Sequence, residues 1–180
     1  MSDGLIPRRY AKALFKLTQE RNCSAQVYEE MKVVVDSFEK NPELGKMMDN
    51  PFLPDSDKTR VLLAAAGDKA EDSFKGFIRL VLDKNRGPWM KQMALCYRDI
   101  YRDAYGISQV KITSAAKLGD AELKRIHALV EKSFKGVKLE FTESVDPDLI
   151  GGFVIDVDSL RMDASIRNEI ENLRLTLLSK

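Results

Sequence analysis

The hydrophobic pattern of this chain changes its period at Gly106. Before it, apolar residues recur every three or four positions; after it, several segments alternate apolar and polar residues. A period near 3.6 buries one stripe of a helix, and a period of 2 buries one face of a strand. One element type cannot satisfy both patterns. The 180 residues therefore divide into a helical part, 1–105, and a part mixing strands with helices, 106–180. The predicted fold class is α+β: an N-terminal bundle of about six helices, then a small α/β C-terminal domain with a long amphipathic last helix.

The helical part carries its own punctuation. Tyr10, Ala13, Leu14 and Leu17 form a stripe on a first helix, with Ala11 and Phe15 as a second strip beside it. Pro7 suits the first turn, where a missing N–H costs little. A second helix begins near Ser24 and places Val27, Met31, Val34, Val35 and Phe38 on one face. Asn41-Pro42 and Asn50-Pro51 end helices, because the residue before a proline is pushed out of the α region. A short helix between them carries Leu44, Met47 and Met48. Asp55 or Ser56 offers an N-cap, and Gly67 a C-terminal stop, for the next one. Phe74, Phe77, Ile78, Val81 and Leu82 share a face that closes at Asn85 to Gly87. The last helix of this part starts at Pro88-Trp89 and runs through Met93, Tyr97, Ile100, Tyr101 and Ala104.

In the second part Val110 and Ile112 alternate with Lys111 and Thr113. Gly119-Asp120 opens a helix with Leu123, Ile126, Val130 and Phe134 facing inward. Val137, Leu139 and Phe141 then alternate with Lys138, Glu140 and Thr142, and Phe153, Ile155 and Val157 with Val154, Asp156 and Asp158. Leu160 and Met162 read as a return strand. Asp163 is the expected N-cap of a final helix bearing Ile166, Ile170, Leu173 and Leu177 at heptad-like spacing.

Charge removes one class of function. Up to Tyr105 the chain holds 18 basic and 16 acidic residues, and 11 and 12 thereafter. A nucleic-acid footprint needs clustered, uncompensated Lys and Arg. The basic side Arg8, Arg9, Lys12 and Lys16 reads as the solvated face of a helix. It is also the basis of the alternative reading, an RNA- or ribosome-associated α/β binding protein. Cys23 and Cys96 are far apart, with no CxxC pattern, and read as reduced thiols. No stretch approaches the length that crosses a bilayer. The N-terminal MSDGLIPRRYAKALF lacks a long apolar core. The chain is expected to stay where it is made and to meet a membrane only through partners.

Residues that could carry chemistry do not assemble into a set. Gly151-Gly152 precedes an alternating segment, whereas a phosphate cradle needs a helix after its glycines. The pair reads as a backbone device at the start of a strand. The cluster Asp146, Asp148, Asp156, Asp158 and Asp163 fails the calcium-loop pattern, since Leu160 falls at a ligand place. A small enzyme using these aspartates is a further rival. His127 is the only histidine and has no nucleophile or ligand partner in the pattern. Trp89, Tyr97, Tyr101 and Tyr105 read as core. No metal and no cofactor is expected.

The first and fifth helices are apolar over more than one stripe. A surface helix of a small bundle needs only one. Extra width implies complete burial or a groove that accepts a partner helix.

Four segments are familiar in combination. RRYAKALF (Arg8 to Phe15), LVLDKNRG (Leu80 to Gly87), VKITSAAKL (Val110 to Leu118) and DPDLIGGFVIDV followed by RMDASIRNEIENL resemble, in order, the motifs of the delta subunit family of bacterial F-type ATP synthase. The mitochondrial counterpart is the oligomycin-sensitivity-conferring protein. Two positions depart from the family pattern: Asp158-Ser159 stands where a Gly-Asp turn is usual, and Ala164 replaces a glycine. The resemblance implies a non-catalytic peripheral-stalk, or stator, subunit. It would link the catalytic head to the membrane sector and resist rotor torque during proton-driven ATP synthesis, peripheral to the cytoplasmic face of the bacterial inner membrane. It implies that residues 1–105 bind the N-terminal helix of an alpha subunit between the first and fifth helices, near Tyr10, Ala11, Leu14, Phe77, Ile78 and Val81. It implies that residues 106–180 bind the C-terminal end of subunit b, with Gly151 and Gly152 as a structural turn. No nucleic acid is implied as a partner, and the membrane only indirectly.

Overall fold

A computed structural model describes residues 4–66, 70–134 and 136–178. The chain separates into two compact units, Met1–Tyr105 and Gly106–Lys180. Its described residues form eight α-helices and one four-stranded mixed sheet, an α+β architecture.

The first unit contains α1 (Leu5–Glu20), α2 (Ser24–Lys40), α3 (Glu43–Asp49), α4 (Asp55–Ala66), α5 (Asp72–Asp83) and α6 (Met90–Tyr105), with a 3₁₀ turn at Gly87–Trp89. The breaks follow local chemistry. Asn22 and Asn85 take φ of 54° and 52° after α1 and α5, a conformation asparagine tolerates. Asn41 and Asn50 leave the helical region ahead of their prolines. Gly67, the expected stop for α4, lies outside the described residues.

The core of this unit holds Val27, Met31, Val34, Phe74, Ile78, Met90, Met93 and Tyr97. α6 packs on both α1 and α2, and α4 on α2 and α5. Tyr97 is fully buried. Its hydroxyl lies 2.8 Å from Thr18 Oγ1 and donates to the Ser24 carbonyl at 3.3 Å, so burial leaves no polar atom of the ring unmet. Phe15 meets Tyr97 edge-on at 5.9 Å, and Tyr28 stacks on Tyr101 at 4.2 Å. The start of α5 is tied to α2: Glu71 N–H donates to Glu30 Oε1 at 2.7 Å, while the Glu71 carboxylate caps α5 through Ser73 N–H.

The second unit runs β1 (Ile107–Ser114), α7 (Asp120–Ser133), β2 (Lys138–Val145), a 3₁₀ turn at Pro147–Leu149, β3 (Gly152–Val157), β4 (Leu160–Ser165) and α8 (Ile166–Leu178). The strand order is β2-β1-β3-β4. β1 and β2 are parallel, joined through α7, and the other pairs are antiparallel. Val110 pairs with Val157, and Ile112 with Ile155. This face packs on Ile126 and Val130 of α7. Val154, on the opposite face of β3, is also buried, so β3 is covered on both sides where alternation predicts one.

Two turns differ in detail from the sequence expectation. Ser165, not Asp163, caps α8: its hydroxyl accepts from Asn168 N–H at 3.2 Å. Asp163 ends up inside β4 and orients the cap, accepting from Ser165 Oγ at 2.6 Å and Ser165 N at 3.0 Å. The β3–β4 turn places Asp158 at φ 48°. There its carboxylate accepts from Gln109 N–H at 3.2 Å. Aspartate tolerates this left-handed backbone, which is how the hairpin forms without the usual glycine.

Candidate partner-binding groove

A trough of about 680 Å³ lies between α1 and α5 of the first unit. Tyr10, Ala13, Leu14 and Leu17 line one wall; Ser73, Gly76, Phe77 and Leu80 line the other. Both sets follow the spacing of a single helical face. The helices run antiparallel along it. Near the start of α1, the Tyr10 ring meets Phe77 edge-on at 6.5 Å, and Arg86, just beyond α5, lies over that ring at 5.0 Å. At the other end Arg21 donates to Ser73 Oγ at 3.3 Å.

Leu17 and Leu80 are 37% and 48% exposed, so apolar side chains face solvent on both walls. A volume of this size is in the range of small-molecule pockets, but its polar groups stand at the two ends, Arg9, Lys84 and Arg86 at one and Arg21, Asp72 and Ser73 at the other, with apolar side chains between. The Ser73 hydroxyl is engaged by Arg21 and lies 3.7 Å from Cys23 Sγ. What the trough offers is a continuous apolar floor about three turns long, the shape an amphipathic helix fills.

The sequence-predicted residues fall into two groups. Tyr10, Leu14 and Phe77 stand on the groove walls. Ala11, Ile78 and Val81 do not: each is fully buried in the core beneath. The reason is angular. On α1 the core stripe is Pro7, Ala11, Leu14, Phe15 and Thr18, and the strip headed by Tyr10 faces the groove. On α5, Phe74, Ile78, Val81 and Leu82 point inward, leaving Gly76 and Leu80 on the groove. Ala13, Leu17, Gly76 and Leu80 also line the trough, with Ser73 and the charged residues at its ends. Their signal was legible: Gly76 and Leu80 sit one turn apart beside Phe77.

In the second unit, α8 has no buried residue. Ile166, Ile170, Leu173 and Leu177 are all exposed, although they form one stripe. A second hollow of about 340 Å³ lies between α7 and the β3–β4 hairpin, lined by Leu129, Phe134, Phe153, Leu160 and Met162 among others.

Gly151 and Gly152 join these elements. The Gly151 carbonyl accepts from Ile166 N–H, the first of α8, at 3.0 Å. Gly152 has φ 75° and opens β3 opposite Ser165. A Cβ on Gly151 would overlap the end of the Ile166 side chain, and one on Gly152 would overlap the Ala164 carbonyl oxygen. Ile150 before them has φ 66° and ψ −42°, with Gly151 N–H donating to the Leu149 carbonyl at 2.7 Å. This is a γ-turn of the rare, strained hand.

Other candidates stay apart. No three His, Cys, Asp or Glu side chains group as a metal site among the described residues. His127 stacks on Phe141 with centroids 3.9 Å apart.

Comparison with known proteins follows this geometry. A family model described as "ATP synthase delta (OSCP) subunit" matches residues 6–177. "ATP synthase subunit delta" of Phocaeicola vulgatus is 37% identical over 178 residues, covering 98% of this chain and 96% of the relative. The protein of the same name from Parabacteroides distasonis is 34% identical, covering 99% and 98%. Among solved structures, a chain of the Toxoplasma gondii mitochondrial ATP synthase hexamer superposes with a TM-score of 0.70 over 96% of this chain and 97% of that one. At 18% identity that likeness speaks for the fold.

Proposed function

The chain belongs to the ATP synthase delta (OSCP) family and is a peripheral-stalk subunit of F-type ATP synthase, and on that premise we propose how its two units carry load. The groove between α1 and α5 receives the N-terminal helix of an alpha subunit, which fixes the catalytic head. The second unit receives the C-terminal end of subunit b through the exposed stripe of α8. The chain performs no chemistry of its own. It transmits torque from the head into the stator while protons drive ATP synthesis. No helix among the described residues is long and apolar enough to cross a membrane; on this reading the chain sits peripherally at the cytoplasmic face of the bacterial inner membrane, held there by the complex.

The observation that carries this reading is the paired exposure of Leu17 and Leu80 on facing walls of one trough. Exposed apolar surface of this kind is retained where a partner covers it. A rotating motor needs a contact whose strength does not depend on one polar bond, and a buried apolar helix face supplies it.

The test is capture of the full chain by an immobilised peptide from the alpha-subunit N-terminus, with co-purification of the ATP synthase head as the companion measurement. Retention by both supports the assignment. A chain that enters the complex yet ignores the peptide would move the alpha contact elsewhere.

A further inference from the structure

The charges of the groove are not evenly spread. Because α1 and α5 are antiparallel, the start of one meets the end of the other. Arg9, Lys84 and Arg86 line that end, whereas Arg21 and Asp72 line the opposite one. None of these four cations forms an ion pair with a carboxylate among the described residues. Arg86 is held at the wall by the Tyr10 ring. At the far end Arg21 donates to the neutral Ser73 hydroxyl and Asp72 pairs with Lys75 at 3.1 Å, so that end holds one cation without a carboxylate where the near end holds three.

An apolar floor binds a helix without choosing its direction, since apolar contact is non-directional. Charge complementarity fixes register and orientation. We infer that the groove takes an amphipathic helix whose acidic end lies against Arg9, Lys84 and Arg86, so that these three cations set which way round the helix docks. The inference rests on the groove reading above and adds the chemistry and polarity of the occupant. Tyr10 to Arg21 spans roughly 17 Å of helix, so the occupant needs about three turns, apolar residues at i, i+3, i+4 and i+7, and carboxylates in one terminal turn.

The experiment uses the full chain, labelled with ¹⁵N, and three synthetic helical peptides sharing one apolar stripe. One has glutamates in its first turn, one in its last turn, and one has glutamine at all those positions. Each acidic peptide should bind roughly tenfold more tightly than the glutamine peptide at low salt, and the advantage should shrink above about 0.1 M salt. A nitroxide at the glutamate end should broaden the amides of Arg9 and Arg86 for both acidic peptides, which means the peptide reverses when its charges do. Arg9→Gln with Lys84→Gln, both exposed side chains, should reduce the acidic peptides to the affinity of the glutamine peptide. Equal affinity of acidic and glutamine peptides, or broadening at Arg21 and Ser73, would overturn the inference and leave the groove reading standing. Failure of all three peptides to bind would overturn both.

Discussion

Gly152 faces the backbone carbonyl of Ala164 so closely that any side chain at its position would occupy the same space as that oxygen. The obstacle is backbone in the paired strand β4, which cannot move aside without breaking the β3–β4 ladder. A φ of 75° adds strain for any other residue. Gly152→Asp should therefore cost at least about 3 kcal/mol and abolish stalk assembly, with chemical denaturation of the purified chain as the measurement. Gly151→Ala should cost less, because the Ile166 side chain it meets can rotate. Normal assembly of Gly152→Asp would sink the structural account of the pair.

Ile150 gives the opposite expectation. A β-branched residue at φ 66° stores strain on the order of 1 kcal/mol. It is 66% exposed, so little packing offsets the strain. Ile150→Gly should raise the denaturation midpoint of the second unit.

Ser165→Ala should cost about 1 kcal/mol by removing the cap of α8, read as lost helicity and a lower melting temperature. Asp163 is linked to the same cap. Hydrogen bonds from the Ser165 hydroxyl and then its N–H hold the Asp163 carboxyl below its ordinary 3.8. A depressed carboxyl stabilises the fold above its unfolded value, and the contribution is lost as pH falls through the folded value. Asp163→Asn should flatten that acid limb of the stability curve.

Glu30 titrates in the other direction. Desolvation outweighs its hydrogen bonds to Glu71 N–H and Gln26 and raises its carboxyl above 4.5. A group easier to protonate when folded weakens the fold as pH rises from the ordinary value through the raised one, and the penalty persists above it. Glu30→Gln keeps an acceptor for the Glu71 N–H. It should be more stable than the parent at pH 7, with the difference vanishing in acid; urea titrations at both pH values would show it.

Leu80→Asp separates docking from folding. Leu80 is outside the buried stripe of α5, so stability should change by less than about 0.5 kcal/mol, while peptide capture by the groove should fall at least tenfold. Retained capture would remove α5 from the docking surface.

Much of the local structure was legible because it is written in local chemistry. The Asn-Pro pairs stop helices by sterics that act between neighbours, and Val110 and Ile112 alternate because a strand has period 2. The cap of α8 lies two residues beyond the expected Asp163 for an equally physical reason. Asp163 and Ser165 can both cap, and only the pairing of Ala164 with Phe153 in the sheet draws Asp163 into β4 and leaves the role to Ser165.

The sequence by itself determined the two-part division, the helix breaks and the need for a glycine ahead of β3, since each follows from periodicity or from the φ a residue can adopt. Which strip of α1 faces the core was decided only by tertiary packing. Tyr10, Ala13, Leu14 and Leu17 make the more conspicuous apolar stripe, yet all four line the groove and only Leu14 of them is also buried. The inward face includes Thr18, a polar residue with no exposure at all. There the Tyr97 hydroxyl, 79 residues away in sequence, meets it at 2.8 Å. The same hydroxyl donates to the Phe15 carbonyl of its own helix at 2.9 Å, but a hydroxyl's cost of burial depends on all its partners, and this second one exists only once α6 has packed against α1.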